Sequence, residues 1–257
     1  KLEQTRAVVV NPARSIKNCR RDALTHILTE NNIPYPRSFT AETSCPIEEL
    51  LQKSNMGACW LKRGDMHTIC PDDVCFAPTP DIAREQWAAF ARRGIERGVV
   101  TEHLTGDLIK FYGVTGEPFF FWCYPQYSKF DKFGHELVNG TPVLYPFRES
   151  NLQDICSQAA GLLGLYIYGG DAIVSPDGSI HIIDLNDWPS FSPCLNEAVT
   201  HIGRALIKKF IINMSTQSSS NVPTSSGKRP TLASTLKSRD TEEAFDLIFY
   251  RPIGYVW

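Results

Sequence analysis

Two carboxylates and an amide, Asp171, Asp184 and Asn186, are spaced so that one β-hairpin could gather their oxygens on a single face. Between them, Ser175-Pro176-Asp177-Gly178 has turn chemistry: Pro presets φ, Asp caps its own backbone, and Gly tolerates a left-handed position. If Ser175 lies opposite Gly178, Asp171 pairs with Ile182. Asp171 and Asp184 are then diagonal neighbours on one face, with Asn186 further along it. A bulge at Gly178 would slip the register by one and separate them. Three hard oxygen donors suit magnesium, which takes one or two carboxylates and completes its shell with phosphate and water. Such an ion would neutralise charge as a γ-phosphoryl group moves. The alternative is a pair of aspartates that merely end strands beside turns.

The family resemblance given below implies that Lys62, with Lys110 or Arg21 as a second cation, meets phosphate from the side opposite the metal. Lys62 ends the apolar run Ala58–Lys62, Lys110 sits inside L-I-K-F-Y, and Arg21 lies in the first helical pattern. Lysine offers a compact ammonium and arginine a planar fork. Against this stand a solvated lysine at a strand end for Lys62 and an edge-strand snorkel for Lys110. His67, His103 and His181 fit packed or exposed histidines better than acid–base catalysts.

The elements that would position these residues alternate in type. The sequence predicts a strand over Arg6–Val10, a helix over Ser15–Asn31, an extended stretch over Ile33–Ser44 and a short helix over Ile47–Lys53. Ala58–Lys62 and His67–Cys70 read as strands around Gly64-Asp65. A helix follows over Pro80–Arg97, closed by Gly98, and then a strand over Val99–Leu104. Asp107–Tyr124 reads as two strands around Thr115-Gly116, its aromatic cluster as sheet core. Ser150 and Gln153 suggest a capping box for a helix ending at Gly164. The metal hairpin over Leu165–Ile183 and a last helix over Asn196–Met214 complete the pattern. Because the strands come in hairpins, α+β fits better than a doubly wound parallel sheet.

Composition removes several classes. The 257 residues carry 42% hydrophobic and 21% charged residues and a net charge of −2, which gives no electrostatic case for nucleic acid. No apolar run is long enough to span a bilayer. The eight cysteines form no C-x-x-C pair and follow no secretory signal, so they read as reduced thiols of a cytoplasmic protein. Cys70, Cys75 and His67 fit no common zinc spacing. Residues 215–231 are polar and should form a disordered linker before an amphipathic segment over 232–257. Both ends begin or stop inside patterned segments, as in a fragment of a longer polypeptide.

Taken in order, the motifs resemble the ATP-grasp superfamily over roughly residues 6–214. G-G-D-A-I-V-S-P-D-G-S-I-H-I-I-D-L-N resembles its metal-binding hairpin, which assigns magnesium to Asp171, Asp184 and Asn186. A-C-W-L-K resembles the strand whose terminal lysine meets ATP phosphates, placing Lys62 there. V-V-T-E-H-L-T-G-D-L-I-K resembles the hinge. Glu102, His103 and Leu104 would offer backbone groups to adenine, Asp107 would lie near ribose, and Lys110 would add a cation. I-K-N-C-R-R-D-A-L-T-H-I-L, followed by N-N-I-P-Y-P, resembles the first helix and its exit, with Arg21 where many relatives have lysine.

The resemblance implies ATP and Mg2+ as cofactors and two α+β subdomains clasping nucleotide, about 35–104 and 105–214. The domain that usually precedes them is missing or reduced, and a long Gly-rich flap is replaced by K-R-G-D-M-H-T-I. It implies phosphoryl transfer to a small-molecule acceptor, first as a carboxylate–amine ligase acting through an acyl phosphate. Arg21, L-I-K-F-Y and D-x-N also resemble the inositol phosphate kinase branch, and a nucleotide-binding module without turnover is the third reading. Finally, D-T-E-E-A-F-D-L-I-F-Y-R-P-I-G-Y-V-W resembles the entry segment of CDP-alcohol phosphotransferases, which implies a membrane tether through a further C-terminal domain.

Overall fold

Two four-stranded antiparallel sheets, each backed by helices, build the described part of the chain. The computed structural model describes residues 7–66, 68–125 and 138–219. The chain divides into two units, residues 1–205 and 206–257, and both sheets belong to the first.

The first sheet contains β1 (Ser38–Glu42), β2 (Cys59–Arg63), β3 (Val74–Ala77) and β4 (Arg97–Glu102), in the order β1-β4-β2-β3. Alternate residues Cys59, Leu61 and Val100 point into one apolar cluster with Leu51 of helix α3 (Glu48–Lys53) and Ala83, Trp87 and Phe90 of helix α4 (Pro80–Arg92). The period of two therefore sends Trp60 and Lys62 to the opposite face. The second sheet contains β5 (Asp107–Val114), β6 (Phe120–Cys123), β7 (Ile167–Val174) and β8 (Ile180–Asn186), in the order β6-β5-β7-β8. Its helix-facing side presents Ile109, Phe111, Ala172, Val174, Ile182 and Leu185. They pack with Leu152, Cys156 and Leu163 of α5 (Glu149–Leu163), and with Leu24 and Leu28 of α2 (Arg21–Glu30). Helices α1 (Ala13–Asn18) and α6 (Leu195–Ser219) complete the described chain.

Several elements differ from the sequence reading, each for a local reason. Residues 7–10 form no strand, because neither sheet edge pairs with them. Instead the buried Asn11 amide donates to the carbonyls of Ile167 and Asp187 and accepts the Tyr166 and Ile167 N–H groups. The first helix is two, since Arg20 is extended (φ −60°, ψ 137°) between α1 and α2. The partner of β2 is β3, not the predicted 67–70. Cys70 and Ile69 are instead held in the connection, their N–H groups donating to the buried Asp73 carboxylate. Helix α4 stops at Arg92 because Gly94 takes the left-handed position (φ +72°). Gly98 lies in β4, where a Cβ would come within 2.4 Å of the Trp87 ring. Helix α5 starts at Glu149 with no side-chain cap, so Ser150 and Gln153 form no box. Helix α6 carries helical structure to Ser219, into the residues expected to start the linker. The rest of that linker and the segment over 232–257 lie outside the described residues. Among the described residues no helix is long and apolar enough to cross a membrane.

Candidate active site

The hairpin register decides whether the predicted oxygens meet. At the turn, the Gly178 N–H donates to Ser175 O and the Ser175 N–H to Ser179 O, with Gly178 at φ +80°. Ser175 therefore faces Ser179, not Gly178, and Ala172 pairs with Ile182. This is the one-residue slip that would have separated the carboxylates. A second irregularity between Asp171 and Ala172 reverses it: Ile183 is the extra residue of a β-bulge on β8, and Asp171 pairs directly with Asp184. Asn186 faces Gly169 on the same side, while Leu185 keeps its place in the core. The predicted pairing of Asp171 with Ile182 is corrected, and the predicted common face is present.

A transverse row results. Cys123, Lys110, Asp171 and Asp184 face one another across β6, β5, β7 and β8. Lys110 Nζ donates to Asp171 Oδ1 at 3.1 Å. Asp184 accepts the Leu185 N–H at 3.1 Å and lies 3.7 Å from the Arg21 guanidinium. Gly170 permits this packing, because a Cβ there would come within 2.1 Å of Asp184 O.

Lys62 reaches the same place from the first sheet. It is only 7% exposed, and Nζ donates to Ile183 O at 2.8 Å, so the bulged carbonyl anchors the ammonium. Burial lowers its pKa to about 8; Asp184 and Asp171 pull it up, and Arg21 pushes it down. Arg21 is likewise buried. It donates to Thr68 Oγ1 at 2.7 Å, and its Nε has no hydrogen-bond partner among the described residues. Tyr35, held by Thr25 at 3.3 Å, shares the electrostatic environment of Arg21 and Asp184, and burial raises its pKa.

The hinge residues divide. The Glu102 N–H donates to Arg37 O, and its carboxylate accepts both the backbone N–H and the Nε of Arg37 at 2.8 Å. The His103 N–H donates to Ala58 O, and its ring accepts Trp60 Nε1 at 3.2 Å beside Phe76; burial lowers its pKa. Leu104 O accepts the Asn139 amide at 3.1 Å. Asp107 is 3% exposed and holds a loop: its two oxygens accept the Val143 and Tyr145 N–H groups. That leaves Asp107 turned to the loop rather than open to a ribose. His67 lies outside the described residues. All eight cysteines are free thiols.

Sequence reading missed the Ile183 carbonyl and Tyr35. A backbone carbonyl has no residue-type signature, and its exposure here depends on a bulge. Tyr35 lies in N-N-I-P-Y-P, quoted for the chain exit alone.

The donor set is suited to magnesium in kind, with two opposed carboxylates and an amide on one face. Among the described residues no group of three or more His, Cys, Asp or Glu side chains could hold a metal. The set therefore depends on the Asn186 oxygen, and on water or phosphate, for its remaining ligands.

No family profile matches the chain, and no curated protein sequence matches it. Solved structures do. The D-alanine-D-alanine ligase from Coxiella burnetii aligns at 15% identity with a TM-score of 0.58, over 80% of this chain and 61% of that one. ATP-grasp ligase PsnB, complexed with a phosphomimetic variant of its minimal precursor, Mg and ADP, aligns at 17% identity and TM-score 0.55, over 81% and 64%. D-alanine–D-alanine ligase from Bacillus anthracis complexed with ATP aligns at 11% identity and TM-score 0.56, over 80% and 69%. The chain thus spans about two thirds or less of the length of the first two.

Proposed function

Proceeding from the ATP-grasp fold, we propose that this chain binds Mg-ATP between its two sheets and transfers the γ-phosphoryl group to a small-molecule acceptor. The observation that carries the proposal is the meeting of Lys62 and Arg21, from separate elements, with the bulged strand that bears Asp184. Buried cations with donors to spare are suited to phosphate oxygens, which accept charge-assisted hydrogen bonds. Arg21 Nε is such a donor.

In this reading Asp171, Asp184 and Asn186 hold the magnesium, which when bound offsets charge on the terminal phosphates. Lys62, tied to Ile183 O, is oriented in advance toward the phosphates, and Lys110 and Arg21 turn from their carboxylates to the nucleotide. Preorganised positive charge in a water-poor cleft stabilises the transferring group without reorganisation at the moment of reaction. The adenine lies at the end of β4. There the Glu102 carbonyl and the Leu104 N–H would be offered to adenine, beside the Trp60 and His103 rings, whose centroids lie 6.2 Å apart.

The leading version is a ligase. A substrate carboxylate oxygen attacks the γ-phosphorus and ADP leaves. An amine then attacks the acyl carbon of the acyl phosphate and expels inorganic phosphate. The three similar structures, all ligases, favour it. The second version is a polyol or inositol-type kinase, favoured by Arg21 at the Asp184 carboxylate. Phosphorus NMR on protein incubated with Mg-ATP and acceptor pools separates them. Free phosphate appearing only when acid and amine are both present supports the ligase, and a new phosphate ester supports the kinase. Nucleotide binding without either product reduces the chain to a binding module. No binding defeats the proposal.

A further inference from the structure

We infer that a second, separate site for a phosphate-bearing small molecule lies in the groove between helices α1 and α2 and the strands β1 and β4. The groove is open to solvent and has a volume of about 470 Å³, within the size range of small-ligand pockets. Lys17, Arg20 and Arg97 line it, with Asp22, Thr40 and His26. None of Lys62, Lys110, Asp171 or Asp184 does.

Its charge is unbalanced. Asp22 is the only carboxylate in the lining, and it serves two guanidiniums, Arg20 at 3.3 Å and Arg97 at 3.8 Å. Lys17 makes no ion pair among the described residues, and Arg20 Nε has no hydrogen-bond partner there. His26 lies 3.3 Å from Glu30, which stands outside the lining. The lining itself carries three cations against one carboxylate, on a chain whose overall charge is −2. A dianionic phosphate matches that surplus, and forked arginines at two walls suit its oxygens. Thr40 on β1 is also part of the lining.

The groove is built into the frame of the nucleotide site. The Asp22 N–H donates to Gly64 O, and the Gly64 N–H donates to Arg97 O. Gly64 follows β2, which carries Lys62, and Arg21 lies between the groove residues Arg20 and Asp22. A ligand here would bear on α2 and β2 together.

The test is calorimetric titration of inorganic pyrophosphate into the whole chain, with a saturating non-hydrolysable ATP analogue and magnesium present to fill the first site. A parallel titration uses Lys62→Met without nucleotide, so failure of the nucleotide reading does not affect the outcome. One pyrophosphate site is expected in both, weakened roughly tenfold by Lys17→Glu and by Arg97→Gln, with circular dichroism unchanged. Lys17 is exposed and makes no ion pair among the described residues, so its reversal should leave the fold intact. No pyrophosphate binding in either titration, or binding that both substitutions leave unchanged, overturns the inference.

Discussion

Asp171 and Asp184 lie directly opposite each other because Ile183 is bulged out of β8. The turn sets a register in which Asp171 would face Ile183 and Asp184 would point into the core. The bulge absorbs one residue, returns Asp184 to the open face, and keeps Leu185 inside. Its carbonyl is then the one that Lys62 grips.

Deleting Ile183 should therefore preserve the inside–outside alternation, since Ile182, Asp184 and Leu185 then follow one another regularly. The variant should fold but lose the anchor of Lys62. We expect nucleotide affinity to fall by about tenfold, equivalent to roughly 1.4 kcal/mol. Equilibrium dialysis with labelled ATP reads this directly, and unchanged affinity would show that the carbonyl is not needed.

Lys62→Met removes a desolvated charge whose pKa burial has already lowered to about 8. Replacing a buried charge by an apolar side chain of similar length is often neutral or stabilising, although Asp184 loses a favourable neighbour. The expected result is a melting temperature within a few degrees of the parent and a loss of ATP binding of at least about tenfold. Thermal melts and binding on the same preparation separate the two effects.

Asp184→Asn keeps the shape of the side chain and removes its charge. Magnesium-dependent nucleotide binding should drop sharply, while binding measured in excess chelator should change little. Equal effects with and without magnesium would take Asp184 out of the metal shell.

Gly170→Ala tests the packing beneath the site. The added Cβ would lie 2.1 Å from Asp184 O, so β7 and β8 must part. Overpacking of this kind costs about 1–3 kcal/mol, readable as a shift in the urea midpoint.

Acid stability should depend on Asp73. Its side chain is fully buried. Desolvation alone would raise its pKa, but the Ile69 and Cys70 N–H groups and Arg93 together hold it below the usual value. A carboxylate depressed in the folded state stabilises the protein above its unfolded pKa, and that contribution is lost as pH falls through the folded pKa. Asp73→Asn should lower stability near neutrality and flatten the decline below about pH 4. Urea denaturation across the acid range would show a parallel curve if Asp73 contributed nothing.

By itself, the sequence determined the components. Apolar, β-branched and aromatic runs marked β4, β5, β7 and β8, the turn at Gly178 marked the hairpin that bears Asp171 and Asp184, and Gly164 marked the end of α5. Local chemistry specifies such features, because turn residues and alternation act within a few residues. The order of A-C-W-L-K, the hinge and D-x-N was legible for the same reason, and it pointed to the fold. Only tertiary structure decided the register. Two single-residue slips, at Gly178 and Ile183, leave no compositional trace, yet together they decide which face Asp184 takes. Tertiary structure also chose Val74–Ala77 over residues 67–70 as the partner of β2, because a buried Asp73 holds the connection. It turned Asp107 from a ribose neighbour into a loop anchor. It also carried Lys62 across from one sheet to a carbonyl of the other. That last contact joins residues 121 positions apart, where strand pairing and burial, not local propensity, set the geometry.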